Sequence, residues 1–251
     1  MTNDELRERI AFLEAENELL RNRNEKLDAY IHQGMGAYLT QEVLEEILRH
    51  REEAGISAER REVTMLFSDI RGSTELADSM SSEDYIRMLN HYLSDMIEII
   101  DSWQGNITGF AGDGIIVVFG APRPNDRAAF QAVGSAVAMQ RRMRAINDWN
   151  SKEGYPHLQM GIGIHTGEAI LGCVGSQTRM KYDMIGRNVN LAARIEAVSE
   201  GGQILVSSQT LEAAGDRVIE RRDGAKWATL KGFKDKVLLH DVVGFGKYRL
   251  S

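Results

Sequence analysis

Residues 63–74 read VTMLFSDIRGST, an apolar run that ends on the carboxylate of Asp69. Residues 109–119 read GFAGDGIIVVF and carry a second carboxylate, Asp113, beside another apolar run. Each run predicts a buried strand. A carboxylate at the end of a buried strand is costly unless it is paired or bound to a cation. The two segments therefore predict buried strands that each present a carboxylate at a polar edge, as a divalent-metal site requires.

Helix and strand patterns alternate on either side of these segments. Apolar residues recur at helical spacing in residues 82–105 and 126–146, and a hairpin at residues 107–119 lies between them. The elements predicted after the second helix are strands at 158–165 and 168–173 paired around Thr166 and Gly167, a helix at 188–198, a strand at 203–206, a small helix, and strands within 217–243. This order predicts an α+β fold with a ferredoxin-like βαββαβ core, an antiparallel sheet and extra C-terminal strands.

The N-terminal segment carries a heptad pattern that predicts a coiled-coil helix in residues 1–33. Its seam residues are Leu6, Leu13, Leu20 and Leu27 at one position, and Ile10, Asn17, Asn24 and Ile31 at the other. Asparagine in the seam favours a parallel two-stranded register. The alternative, one amphipathic helix lying on its own domain, has a broader apolar stripe. We expect an obligate parallel homodimer, a linker with a short helix at residues 34–60, and the main domain at residues 61–245.

Composition excludes several classes of protein. The 251 residues are 43% hydrophobic and 27% charged, as in an ordinary globular protein with one sizeable domain. A net charge of −7 argues against a nucleic-acid partner. The single cysteine, Cys173, fits a reducing compartment. The chain shows no signal peptide and no apolar stretch near the ~20 residues that span a bilayer, so we expect a cytoplasmic protein without a membrane partner.

Four segments stand in the order and spacing of a known family. They are residues 67–74 (FSDIRGST), 112–114 (GDG), 181–186 (KYDMIG) and 189–196 (VNLAARIE). Together they resemble the class III nucleotide cyclase catalytic domain, and the resemblance covers roughly residues 60–243. One such motif is weak support, whereas four in order are strong.

The resemblance implies a two-metal site. Asp69 and Asp113 would hold two divalent ions, Mg²⁺ or Mn²⁺, with help from the backbone carbonyl of Ile70. Hard oxygen ligands of this kind suit both ions. In the alternative interpretation, Asp113 only occupies a hairpin turn and Asp69 only caps the following segment.

The resemblance also assigns catalytic roles to Asn190 and Arg194. Residues four apart on a helix lie on one face, so both side chains can reach one ligand. Arg194 would meet charge that develops on the α-phosphate, and Asn190 would orient the ribose. The alternative is an exposed polar face with an ion pair from Arg194 to Glu196 or Glu200.

Base recognition is where this sequence departs from the family. Asp183 matches the family aspartate that accepts a hydrogen bond from the adenine amino group. The family pairs this aspartate with a lysine, and Gly109 stands at the lysine position in this sequence. Lys181 precedes Tyr182 and Asp183 in the same alternating segment. It is a candidate to replace the missing lysine, although the sequence does not establish this role. Lys231 and Lys234 are candidates for contacting the triphosphate, or else form a solvated basic turn.

The resulting hypothesis is an adenylate cyclase that converts ATP to 3′,5′-cyclic AMP and pyrophosphate. Its sites would straddle a homodimer, with Asp69 and Asp113 from one protomer and Asp183, Asn190 and Arg194 from the other. The alternatives are a guanylate or mixed-specificity cyclase, because of Gly109, and a catalytically silent dimerisation module. A sensor domain upstream of the coiled coil would fit the same arrangement.

Overall fold

The computed structural model describes residues 9–10, 12–14, 16–24, 43–46, 58–176 and 179–250. The chain divides into two compact units, Met1–Leu48 and Arg49–Ser251. No described helix is long and apolar enough to cross a membrane.

The described residues of the first unit are helical. Three predicted seam residues, Ile10, Leu13 and Leu20, are exposed in the single chain. The seam positions outside the described residues are Leu6, Leu27 and Ile31. The coiled coil and the parallel dimer therefore stay predictions, as do the predicted domain boundaries.

The described part of the second unit contains ten strands and five helices. In chain order they are β1 (Ala58–Ile70), α1 (Ser73–Ser79), α2 (Ser82–Ser102), β2 (Asn106–Ala111), β3 (Gly114–Phe119), α3 (Ala128–Glu153), β4 (Met160–Ser176), β5 (Arg179–Ile185), α4 (Arg187–Ala197), β6 (Ile204–Ser207), α5 (Ser208–Ala214), β7 (Val218–Glu220), β8 (Lys226–Ala228), β9 (Val237–Phe245) and β10 (Tyr248–Arg249).

The strands form one sheet in the order β10-β9-β6-β4-β1-β3-β2, with β5 on β4 and with β7 and β8 on β9. The run β4-β1-β3-β2, which ends at one edge of the sheet, is antiparallel throughout. Helices α1 and α2 connect β1 to β2, and α3 connects β3 to β4. This is the βαββαβ arrangement, so the α+β prediction is confirmed.

The two faces of the sheet are covered by different helices. Helices α2 and α3 pack on the face that carries Leu66, Ile162 and Ile164, in the main hydrophobic core. Alternate residues of a strand point to opposite faces. Gly163 therefore belongs to the other face, where it lies against Glu196 of α4.

The predicted strand pair at residues 158–173 is wrong, because β4 runs straight through the expected turn. Thr166 is buried, and its hydroxyl hydrogen-bonds that of Thr64 on β1 at 2.9 Å. Gly167 is no turn residue either: a Cβ there would lie 2.7 Å from Nδ2 of Asn188. The glycine permits close packing of α4 on β4. Sequence reasoning also missed β5 and the short helix α1.

Candidate active site

Asp69 and Asp113 meet at one end of the sheet. Asp69 lies next to the last residue of β1, and Asp113 follows Gly112, whose φ of 66° makes the β2–β3 turn. Oδ2 of Asp113 accepts a hydrogen bond from the backbone N–H of Ile70 at 2.9 Å. Asp113 is 8% exposed. Asp113 does lie in a turn, as the alternative held, but its carboxylate also folds back onto the end of β1.

The electrostatics of this pair fit a cation site. Burial, followed by the negative charges of Asp113 and Glu196, raises the pKa of Asp69 to about 6. Arg71 opposes this shift, with Nη1 3.7 Å from Oδ2 of Asp69. Two carboxylates beside the Ile70 carbonyl make a hard oxygen donor set of the kind that Mg²⁺ and Mn²⁺ prefer. No group of three or more metal-binding side chains occurs in the described residues, so further ligands would come from backbone, water or substrate.

Arg71 fastens this end of β1 to α4. Its Nη2 donates to the backbone carbonyl of Glu196 at 3.0 Å and to Oγ of Ser199 at 2.9 Å, and it also pairs with the Glu196 carboxylate. Its backbone N–H donates to the carbonyl of Gln159 at 2.8 Å. The alternative interpretation paired Glu196 with Arg194. In the structure, Glu196 pairs with Arg71 instead. Sequence reasoning missed Arg71 because its partner lies 125 residues further along the chain.

A buried polar network holds the start of α4 on the sheet. His165 hydrogen-bonds Oγ of Ser207 at 2.8 Å through Nδ1, and Oδ1 of Asn188 at 3.3 Å through Nε2. Nδ2 of Asn188 donates to the carbonyl of Glu168 at 2.9 Å. Burial lowers the pKa of His165, so its imidazole is neutral at neutral pH. The network and Arg71 thus fix α4 near both of its ends.

Asn190 and Arg194 lie on an exposed face of α4. Across residues 58–176 and 179–250, neither side chain makes a hydrogen bond or an ion pair. Their catalytic roles stay predictions.

Asp183 lies on β5, and its carboxylate is held by two donors. Oδ1 accepts from the backbone N–H of Met184 at 2.9 Å, and Oδ2 accepts from Nζ of Lys181 at 3.1 Å. Gly109 lies on β2, beyond a register shift at Thr108. A Cβ at Gly109 would lie 3.1 Å from Nζ of Lys181. The structure therefore brings Gly109, Lys181 and Asp183 together.

Within one protomer, Asp69 and Asp183 lie at different positions along β4. Asp69 pairs with Gly161 at the start of β4, whereas Asp183 pairs with Gly172, eleven residues further along the same strand. In the part of the chain that the structure describes, no hydrogen bond or ion pair joins Asp69 or Asp113 to Asp183, Asn190 or Arg194. Asp69 and Asp183 therefore lie near different ends of β4 in the described part of one protomer.

Lys231 and Lys234 are exposed in a turn near the start of α4. The N–H of Phe233 donates to the carbonyl of Leu230 at 3.1 Å, which closes the turn. The guanidinium of Arg187, the first residue of α4, lies 5.2 Å from the centre of the Phe233 ring. This contact brings the basic turn beside the helix that carries Asn190 and Arg194, as a role in substrate binding requires.

Comparison with known proteins shows which family the chain belongs to. Residues 56–242 match the family described as "Adenylate and Guanylate cyclase catalytic domain". Adenylate cyclase 1 of Rhizobium meliloti (strain 1021) is 31% identical over 209 residues, which cover 82% of this chain and 31% of the relative. The solved structure of the guanylyl cyclase Cya2 is 43% identical with a TM-score of 0.74 and covers 77% of this chain and 99% of that one.

A second solved structure, the adenylyl cyclase CyaB from P. aeruginosa, is 36% identical with a TM-score of 0.72, over 76% of this chain and 98% of that one. The chain spans about a third of the length of the curated relatives it matches. The match to the family extends over most of the chain. This protein therefore belongs to the adenylate and guanylate cyclase catalytic domain family.

Proposed function

We propose that this chain converts ATP to 3′,5′-cyclic AMP and pyrophosphate by two-metal catalysis at a homodimer interface. The observation that carries the proposal is the carboxylate pair, with Asp113 bound to the N–H of Ile70 and the pKa of Asp69 raised beside it. Two acidic groups held this close in a folded chain are stabilised by a cation.

Asp69, Asp113 and the carbonyl of Ile70 would hold two divalent ions, Mg²⁺ or Mn²⁺. When bound, such ions lower the pKa of the ribose 3′-hydroxyl and neutralise charge on the triphosphate. Arg71 keeps the ligands in place through its contacts with α4.

The remaining residues bind and orient the nucleotide. The ribose 3′-hydroxyl loses its proton to solvent water, its oxygen attacks the α-phosphorus, and the bond from that phosphorus to the pyrophosphate oxygen breaks. Arg194 donates to the charge that develops on the α-phosphate, where a planar fork of donors is most effective. Asn190 orients the ribose, and Lys231 and Lys234 bind the triphosphate and then the leaving pyrophosphate.

The separation within one protomer supports a site shared between two copies. Asp69 and Asp113 of one copy would face Asp183, Asn190 and Arg194 of the other, and two-fold symmetry then makes two equivalent sites. The exposed apolar seam of the N-terminal helix supports a parallel coiled coil that raises the effective concentration of the two halves. A sensor domain upstream, and a cytoplasmic location, stay predictions.

A guanylate or mixed-specificity cyclase is the second candidate. It is supported by Gly109, which supplies no side-chain donor, and by the 43% identity to a guanylyl cyclase. Asp183 supports adenine, because a carboxylate accepts from the adenine amino group. A silent dimerisation module is less well supported, since it needs neither the carboxylate pair nor the unpaired Arg194.

Turnover of ATP and GTP by the purified chain, with Mn²⁺ and with Mg²⁺, tests the proposal. We expect cyclic AMP as the main product, and its loss in Asp69→Asn and in Arg194→Ala. A preference for GTP would establish the second candidate instead. No cyclic nucleotide with either metal would establish the silent module.

A further inference from the structure

The side chain of Lys181 fills the space beside Gly109. A Cβ built on Gly109 would lie 3.1 Å from Nζ and 3.8 Å from Cε of Lys181. The two residues lie on β5 and β2, strands that do not pair in the sheet. The space that a longer side chain at position 109 would enter therefore already holds an ammonium group from another strand.

Asp183 positions that ammonium. Lys181 and Asp183 alternate with buried Tyr182, so they share one face of β5. Nζ of Lys181 donates to Oδ2 of Asp183 at 3.1 Å, while the other carboxylate oxygen accepts from the backbone N–H of Met184. One strand thus presents a cationic donor and an anionic acceptor side by side.

Both groups are open to a ligand. The side chains of Lys181 and Asp183 are 54% and 35% exposed. An ammonium has three N–H donors, of which Asp183 uses one, and a carboxylate oxygen accepts more than one hydrogen bond. An exposed ion pair of this kind contributes little to stability, so folding alone does not account for it.

The pair is complementary to the edge of adenine. Adenine presents an acceptor, N1, beside a donor, the 6-amino group, and these match the Lys181 ammonium and the Asp183 carboxylate. Guanine presents one acceptor, O6, and two donors, N1–H and the 2-amino group. Oδ1 of Asp183 already accepts from the N–H of Met184, so the carboxylate edge that remains suits the single amino donor of adenine better than the two donors of guanine.

We infer that Lys181 is the base-reading cation of this cyclase, donating from Nζ to N1 of adenine while Asp183 accepts from the 6-amino group. Gly109 then has a role of its own, because it leaves room for that ammonium. The inference rests on the proposed adenylate cyclase function and deepens it.

A substrate lacking N1 gives the sharpest test. In 1-deaza-ATP a C–H group replaces N1, so the proposed hydrogen bond cannot form. We expect the wild type to use 1-deaza-ATP about 10- to 100-fold less efficiently than ATP by kcat/KM, since a charged hydrogen bond is lost. Lys181→Met should use both substrates equally, at about the low level of the wild type with 1-deaza-ATP. The inference would be overturned if the ratio of kcat/KM for ATP to kcat/KM for 1-deaza-ATP were the same in Lys181→Met as in the wild type.

Controls separate this effect from damage to the fold or failure of the proposed function. Lys152→Met, at an exposed lysine near the end of α3, should leave both kcat/KM values unchanged. Lys181→Gln repeats the test should Lys181→Met unfold, which thermal unfolding detects. A wild type that makes no cyclic nucleotide refutes the proposed function. If the wild type is active but substitution of Lys181 leaves the ratio of the two kcat/KM values unchanged, only the inference is refuted.

Moving the lysine to its family position gives an independent test. Gly109→Lys alone should not raise kcat/KM for ATP, because the new side chain meets the Lys181 ammonium. In Gly109→Lys combined with Lys181→Ala, we expect at least about a tenfold recovery over Lys181→Ala alone, a coupling of the size that residues in contact show. A gain in ATP turnover from Gly109→Lys with Lys181 present would contradict the assignment, as would no recovery in the double variant.

Discussion

The end of β1 and the exposed face of α4 carry the two halves of the proposed site, and the chain holds them in different ways. At the end of β1, Asp113 is bound to Ile70, and Arg71 ties the strand to α4. On the face of α4, the side chains of Asn190 and Arg194 make no hydrogen bond or ion pair within the described residues. One half is organised by the protomer itself, whereas the other is left open. The open side chains are those that we expect a second copy to use.

Arg194→Ala should produce the largest effect, and only on catalysis. We expect kcat to fall about 10²- to 10³-fold, because the variant removes a donor from developing charge. The melting temperature should not change, since the Arg194 side chain has no hydrogen-bond or ion-pair partner among the described residues. Rates of cyclic AMP formation and thermal unfolding measure both, with Arg144→Ala, an exposed arginine on α3, as the matched control. A lower melting temperature in Arg194→Ala would contradict this account, because it would show that the Arg194 side chain makes a stabilising contact within the protomer.

Arg71→Ala should produce the opposite pattern. The variant leaves the Glu196 carboxylate and Oγ of Ser199 without a donor, so we expect a loss of about 2–4 kcal/mol in the free energy of unfolding. Urea unfolding without metal measures it. A change below about 0.5 kcal/mol would mean that the end of β1 does not depend on this contact.

Gly163→Ala tests how closely α4 packs on β4. The new Cβ would lie 2.1 Å from the backbone nitrogen of Glu196, so α4 must move away. We expect a loss of about 1–3 kcal/mol in the free energy of unfolding. Gly109→Ala is the control for stability, because its Cβ meets only the flexible end of Lys181. Equal losses in the two variants would contradict the close packing.

Asp69→Asn should show the smallest effect, and it should be stabilising. The pKa of Asp69 is about 6 in the fold and 3.8 as the ordinary value, so ionisation costs stability as pH rises between these values. Without metal at pH 7, we expect Asp69→Asn to gain about 1 kcal/mol, discounted for screening because the side chain is 38% exposed. At pH 4, just above the ordinary pKa, only a small part of this gain should remain. Unfolding without metal at both pH values checks this, and a gain that is as large at pH 4 would contradict it.

Most of the core strands and helices could be predicted from the sequence, but the lengths of the strands could not. Buried runs ending at Asp69 and Asp113 predicted β1 and the β2–β3 hairpin, and both formed as expected. Thr166 and Gly167 suggested a turn, yet buried hydrogen bonding and the packing of α4 explain them. Strand β5 alternates polar and apolar residues over 179–184, so the sequence does carry a period-two signal for it.

The sequence predicted candidate residues for the site but not the contacts that those residues make. The candidate catalytic and metal residues followed from four motifs, and the structure puts Asp69 beside Asp113. The partnership of Arg71 with Glu196 joins distant parts of the chain, which no local pattern encodes. The same holds for Lys181, whose proximity to Gly109 depends on how two unpaired strands approach each other.

The central claim is that two protomers share each site, and an isolated heterodimer tests it most directly. Asp69→Asn and Arg194→Ala are co-expressed with different tags, and the mixed dimer is purified through both. Each homodimer should be inactive. In the mixed dimer one site keeps both halves while the other loses both, so we predict about half the wild-type activity per dimer. An inactive mixed dimer would contradict the account, because it would place both halves of each site in one protomer.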